Sequence, residues 1–286
     1  HEYQSQGLMR DLGIMVPRGK IATTPDEAYQ AAKIFREWSG DGTTKEISYN
    51  LLTFHLSVDI LVKAQVQAGG RGLGFFDSGL KGEYKFAQRR PFPYSFSFVL
   101  TSNLNSPEEV RDISAKMLEH KLFTKQTGPE GKICKKVYLA ERSYVRRETY
   151  LAILMDRKSC GPVIVGSSRG GTDIETLSAE NPGAIFKVIT QTAGGSHQLI
   201  LITEGPVDIN VGLTPELADH VAVSLGFTTP KIKLQAIDQV TRLYNLFIKY
   251  DCTLVEVNPL IEDSFGKGIT SSLSLSLSLS LSLSLS

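Results

Sequence analysis

Lys63 sits inside the apolar run Ile60-Leu61-Val62-Lys63-Ala64-Gln65-Val66. Period-two alternation predicts a strand with Val62, Ala64 and Val66 on one face and Leu61, Lys63 and Gln65 on the other. A lysine planted mid-strand is either a charge that keeps a sheet edge from pairing with other chains or a cation aimed at a ligand. The next residues, Ala68-Gly69-Gly70-Arg71-Gly72-Leu73-Gly74, favour the second reading. Backbone N–H groups exposed by glycine can wrap phosphate oxygens, and Arg71 adds a planar cationic fork. Read alone, the same loop is only a hairpin tip. No helix is expected after it and it lacks a Gly-Lys-Ser/Thr ending, so it fits neither a dinucleotide-binding turn nor a P-loop.

Two further groups could complete such a site. Val137-Tyr138-Leu139-Ala140-Glu141 reads as an apolar strand ending in an acid, and Arg146-Arg147-Glu148 places charges ahead of another strand. A purine slot needs apolar walls and a few carboxylate or backbone hydrogen bonds; the same charges also suit a solvated surface. In Leu254-Val255-Glu256-Val257-Asn258-Pro259, alternation sets Glu256 and Asn258 on one face, presenting a carboxylate and an amide oxygen together. Magnesium takes such hard oxygen ligands alongside waters and phosphates. The alternative is an asparagine that simply turns the chain before proline.

Cap signals and periodicity supply the supporting elements. Helices are expected over His1–Gly13, with Gly13 as a left-handed stop, from Thr24-Pro25-Asp26-Glu27 to Trp38, from Ser106-Pro107-Glu108-Glu109, over Asp173–Leu177, over Thr214–Leu225 and over Pro230–Tyr250. Strands are expected over Lys136–Glu141, Tyr150–Asp156, Pro162–Gly166 and Thr253–Pro259, the middle pair as a hairpin. Strands and helices mix without regular alternation, which points to α+β, or a mixed α/β arrangement of two lobes, rather than a Rossmann sheet. Residues 40–57, 83–105 and 188–203 look like insertions at element boundaries, and Ser272–Ser286 is a bare Ser-Leu repeat.

The 286 residues suffice for two packed lobes, and 31 Lys plus Arg against 30 Asp plus Glu leaves no basic footprint for nucleic acid. No apolar run approaches the ~20 residues of a membrane helix, and His1-Glu2-Tyr3-Gln4 has no signal-peptide core, so no membrane partner is expected. The chain does not begin with Met, as expected of a processed or partial product. Cys134, Cys160 and Cys252 have neither metal nor disulfide spacing. Of the five histidines, His120 and His220 read as helix-surface residues, and none has a nucleophile or ligand pattern.

Taken in order, His1-Glu2-Tyr3-Gln4-Ser5, Val62-Lys63-Ala64-Gln65-Val66 leading into Ala68-Gly69-Gly70-Arg71-Gly72, Leu122-Phe123-Thr124-Lys125-Gln126-Thr127, Arg147-Glu148-Thr149-Tyr150-Leu151-Ala152, Gly166-Ser167-Ser168 before Gly170-Gly171, and Val255-Glu256-Val257-Asn258-Pro259 resemble the succinate–CoA ligase β subunit of mitochondrial type. The resemblance covers most of residues 1–263 outside the insertions. It implies an ATP-grasp fold, two α/β lobes clasping a nucleotide, and a mitochondrial matrix protein paired with an α subunit that carries a phosphohistidine. The implied reaction, a step of the citric acid cycle, converts NDP, phosphate and succinyl-CoA reversibly to NTP, succinate and CoA. Lys63, Gly70, Arg71 and Gly72 would then bind the nucleotide phosphates, Glu141 and Glu148 would line the base and ribose pocket, Asn258 would ligate Mg2+, and Glu256 would face the phosphohistidine as the catalytic acid. ATP (ADP) and GTP (GDP) stay equally open.

The family follows its Asn-Pro strand with another strand bearing a second, aspartate ligand, and then with a C-terminal CoA-ligase domain; here the resemblance ends near Asp263. The domain expectation is therefore an ATP-grasp region over 1–263 and a low-complexity tail over 264–286, with the second metal ligand and the C-terminal domain absent and turnover correspondingly low. The alternative is a catalytically impaired nucleotide-binding fragment or the product of a faulty gene model.

Overall fold

The computed structural model describes residues 1–38, 60–68, 71, 74–81, 106–143, 145–157, 161–170, 178, 181–188, 212–263 and 269–271. The expected helix at Asp173–Leu177, the insertions at 40–57 and 83–105, residues 189–203 of the third, and the repeat from Ser272 onward lie outside them. The chain divides into two compact units, the first spanning Pro17–Tyr94 and Phe98–Arg142, the second His1–Val16, Ser95–Ser97 and Ser143–Ser286.

In the first unit, β1 (Gly19–Ala22), β6 (Val137–Glu141) and β2 (Ile60–Ala64) form an antiparallel sheet in the order β1-β6-β2. Helix α2 (Pro25–Trp38) starts as its sequence dictates: the Thr24 hydroxyl accepts the Glu27 N–H at 3.1 Å, proline fills the first turn, and acids follow where they oppose the helix dipole. Ala28, Ala31, Ala32 and Phe35, spaced for one helical face, are buried against the sheet residues Ala22, Val62, Val137 and Leu139. Burying Phe35 completely contributes roughly 1.5–3 kcal/mol. Helix α3 (Pro107–Met117) repeats the logic, with the Ser106 hydroxyl accepting from Glu109 N–H and Val110 and Met117 facing inward. A small sheet, β3 (Phe75–Phe76), β4 (Lys121–Phe123) and β5 (Lys132–Ile133), adds Phe76 and Leu122 to this core. His120 is not on a helix, as its neighbours suggested: it follows α3, and its Nδ1 lies 2.7 Å from Asp77. His220 is on a helix, Pro215–Ser224 of the second unit.

The second unit is an antiparallel sheet in the order β11-β10-β7-β8-β9, built from β7 (Val145–Asp156), β8 (Gly161–Ser167), β9 (Ile185–Val188), β10 (Leu254–Asp263) and β11 (Ile269–Ser271). One face is covered by α1 (Glu2–Asp11), α4 (Pro215–Ser224) and α5 (Pro230–Lys249), whose Met9, Val221, Val240, Leu243 and Phe247 share a core with Leu151, Ile153, Ile164, Val255 and Val257. Gly13, at φ +70°, turns the chain out of α1 as expected, because the left-handed region costs glycine little. Besides β8, which gains one residue at each end, two strands run well past their expected bounds. β7 begins at Val145, so Arg146, Arg147 and Glu148 lie within it, and β10 continues past Pro259 to Asp263. Ile269–Ser271, placed in the tail by composition, forms β11 and pairs with Leu260–Glu262.

Candidate functional site

On β2, Ile60, Val62 and Ala64 turn toward the helices, so Leu61, Lys63 and Gln65 belong to the opposite face. Among the described residues β2 is an edge strand, yet Lys63 is only 6% exposed and stands directly across from Tyr138 on β6, itself 3% exposed. A lysine kept to deter edge pairing would project into water; a buried ammonium is costly unless it is paired. The Tyr138 ring lies over Gly19, where a Cβ would meet the phenol oxygen; glycine is required there for the tyrosine to reach across β1.

Beyond β2 the chain is held by side-chain donors. Arg71 Nη1 donates to the Ala64 carbonyl at 2.8 Å and Lys132 Nζ to that of Gln67 at 2.9 Å. The Arg71 guanidinium is therefore stationed at the end of the Lys63 strand by a backbone contact that its sequence did not reveal. Gly70 and Gly72 lie outside the described residues. Nearby Cys134 is fully buried and donates to the Lys136 carbonyl at 3.3 Å. Burial pushes its thiol up to about 11, so it is no nucleophile.

Glu141 closes β6, and its carboxylate lies 2.8 Å from Arg18 Nε while its N–H donates to the Arg18 carbonyl at 2.9 Å. By alternation Glu141 follows Val137 and Leu139, whereas Lys63 shares the face of Tyr138. The structure thus does not bring the Lys63 and Glu141 side chains onto one face of the sheet. Arg18 escaped the sequence reading because its partner lies 123 positions away.

In the second unit Glu148, Glu256 and Asn258 do share a surface, the face of the sheet opposite the helices. Val255 and Val257 are buried beneath the helices while Glu256 and Asn258 are half-buried, and register sets Glu256 across from Ala152 and Glu148 across from Ile261. Between the pairs Val257–Leu151 and Leu260–Thr149, Asn258 and Pro259 oppose the single residue Tyr150, which makes a β-bulge. The Thr149 hydroxyl donates to the Leu260 carbonyl at 3.1 Å just past it.

Glu262, one of the acids near the end of the resemblance, is 4% exposed and sits across from Arg147 on the helix side, away from Asn258. Arg146 lies 3.1 Å and Arg147 3.7 Å from its carboxylate, and Arg147 also donates to the Gly226 carbonyl at the end of α4. Its charge is matched by arginines, and it is not placed to join Asn258. β11 runs on toward Asn258 instead, with Ser271 opposite Leu260.

Among the described residues no group of three or more His, Cys, Asp and Glu gathers as a metal cage. Magnesium bound with a nucleotide needs only one or two protein oxygens, the rest coming from water and phosphate. Asn258 and Glu256, oxygen-bearing and half-buried on one face, fit that kind of site.

Residues 43–203 and 197–262 match the family described as ATP-grasp domain. The chain belongs to the ATP-grasp family. This ATP-grasp chain is 42% identical over 266 residues to the mitochondrial ADP-forming succinate–CoA ligase β subunit of Columba livia, covering 93% of this chain and 51% of that one. It is 40% identical over 266 residues to the GDP-forming β subunit of Homo sapiens, covering 93% and 49%. The chain spans about half the length of the curated relatives it matches. Among solved structures, a Ca. Korarchaeum cryptofilum chain in complex with coenzyme A superposes with a TM-score of 0.53 at 16% identity, covering 94% of this chain and 88% of that one. A Pyrococcus horikoshii Ot3 protein gives 0.51 at 16%, covering 95% and 87%. At that identity these two speak for the ATP-grasp fold alone.

Proposed function

We propose that this chain is the nucleotide-binding part of a succinate–CoA ligase β subunit, working in the mitochondrial matrix with an α subunit that carries a phosphohistidine. The observation that carries this is identity near 40% sustained over 93% of the chain to ligase β subunits of both nucleotide types. The reaction is the reversible conversion of NDP, phosphate and succinyl-CoA to NTP, succinate and CoA.

In the first unit, the buried Lys63 and the glycine-rich segment with Gly70, Arg71 and Gly72 take the nucleotide phosphates. Their cationic and N–H donors neutralise charge that builds up during phosphoryl transfer, where positioning and electrostatics supply most of the catalysis. Glu141 contributes at the exit of β6, toward base and ribose, in the posture that Arg18 gives its carboxylate. In the second unit, Glu148 serves base and ribose, Asn258 supplies an amide oxygen to Mg2+, and Glu256 faces the incoming phosphohistidine. Magnesium, when bound with the nucleotide, offsets phosphate charge. The half-burial of Asn258 and Glu256 on one face supports their roles.

Titration calorimetry of the purified chain with ADP and GDP, with and without Mg2+, tests the reading, joined by succinyl-CoA formation after mixing with a compatible α subunit. Saturable binding of at least one diphosphate, tightened by Mg2+, is expected. No binding of either nucleotide overturns it.

A further inference from the structure

We propose that Thr149 is a positioning residue for the metal-ligating bend of β10, acting through its hydroxyl on the backbone that carries Asn258; this rests on the reading of Asn258 as a Mg2+ ligand.

Three observations converge on this threonine. First, β10 bulges at Asn258–Pro259, where two residues face Tyr150 alone. A bulge disrupts the ladder locally and re-aims side chains, and Pro259 brings no N–H with which to rebuild pairing. The direction taken by Asn258 therefore depends on how the flanks of the bulge are fixed. Second, the downstream flank is fixed by a side chain: Thr149 and Leu260 are both fully buried register partners, and the hydroxyl reaches the Leu260 carbonyl at 3.1 Å. Third, β7 is restrained from its other side at the same place. Gly170 N–H donates to the Glu148 carbonyl at 3.0 Å, and a Cβ on Gly170 would lie only 2.5 Å from the Thr149 carbonyl group. Thr149 is thus a fixed donor on a packed strand, and Leu260 is the point at which β10 is tied to it.

By alternation the threonine itself lies on the helix-covered face with Leu151, away from Glu148 and Asn258. It touches neither metal nor nucleotide; its influence is confined to the backbone two residues beyond Asn258. Groups that orient a metal ligand in this indirect way typically affect metal affinity by about tenfold or more.

The test uses the full chain with Mn2+ as the probe, its affinity measured by electron paramagnetic resonance in the presence of saturating ADP, and ADP affinity in EDTA as the second readout. Thr149→Val keeps shape and removes the donor. It should weaken Mn2+ by roughly tenfold while leaving metal-free ADP binding at the parent value, and Thr149→Ser, which restores a hydroxyl, should recover most of the loss. Should the valine variant fail to fold, Thr149→Ala read against Thr149→Ser carries the same comparison. Asn258→Ala separates the two levels of the argument. Weakened Mn2+ in that variant with parent-like Mn2+ in Thr149→Val overturns the positioning role alone; parent-like Mn2+ in Asn258→Ala overturns the ligand assignment and the positioning role together. Equal losses of Mn2+ and of metal-free ADP binding in Thr149→Val, with lowered thermal stability, would make Thr149 a scaffold residue and overturn the proposal.

Discussion

Replacing Lys63 by methionine separates a ligand-directed lysine from a structural one. Lys63 is 6% exposed on β2, so the cost of dehydrating its ammonium falls largely on folding, before any ligand arrives. A phosphate oxygen within hydrogen-bonding reach would then gain a charge-assisted bond worth about 1.5–3 kcal/mol net, within the ~4 kcal/mol that Coulomb's law gives for unit charges about 4 Å apart at an effective dielectric of about 20. Losing some 2–3 kcal/mol weakens binding by roughly 30- to 150-fold. Methionine matches the length of the lysine stem and leaves no large cavity, so the midpoint of thermal unfolding reports what the ammonium itself contributes to the fold. Calorimetry with Mg2+ and either ADP or GDP, paired with a melting curve, reads both quantities. Parent affinity for both nucleotides in Lys63→Met would refute the reasoning, and a steep fall in melting temperature with unchanged affinity would show that the ammonium holds the sheet together.

Glu262→Ala removes the buried carboxylate that Arg146 and Arg147 share, and should cost about 1–3 kcal/mol, the lower part of the range reflecting side-chain exposures of 67% and 41% for those arginines; urea unfolding measures this, and metal-free ADP affinity should not move. Cys134 supplies a pH dependence. Burial raises its folded-state value from 9.0 to about 11, so its contribution is fully present below pH 9.0 and is lost as pH rises toward about 11, by roughly 2–3 kcal/mol in all. Cys134→Ala should flatten that part of the stability profile, and in the parent Cys134 should resist thiol reagents at pH 8 until the protein is unfolded.

The helices were legible because the chain announces them. Thr24-Pro25, Ser106-Pro107, Thr214-Pro215 and Thr229-Pro230 each place a hydroxyl residue ahead of proline, and a helix begins at every one. The face of Lys63 was legible from alternation alone, as was the shared face of Glu256 and Asn258. Short strands were not. β3 and β5 are two residues long and β11 three, too brief for a period to register, and β3 owes its existence to a partner far along the chain. Arg146 and Arg147 read as a charged approach to a strand because sequence alone could not show Glu262 waiting opposite. Glu141 shows the other limit: its type, strand-end position and parity with Leu139 were evident, but its pairing with Arg18 and its separation from the face of Lys63 are decided by register.

The bond from Arg71 to Ala64 also bears on how this chain meets copies of itself. Among the described residues β6 accompanies β2 on one side only, and the Gln65 N–H that donates to Lys136 shows which way odd-numbered residues of the strand present their backbone. Ala64, being even, turns its carbonyl to the unaccompanied side, where another polypeptide could add itself as a further strand. The guanidinium occupies that acceptor. A substitution of Arg71 meant to probe phosphate binding would therefore also uncover that acceptor, and light scattering of a concentrated solution would show whether self-association follows.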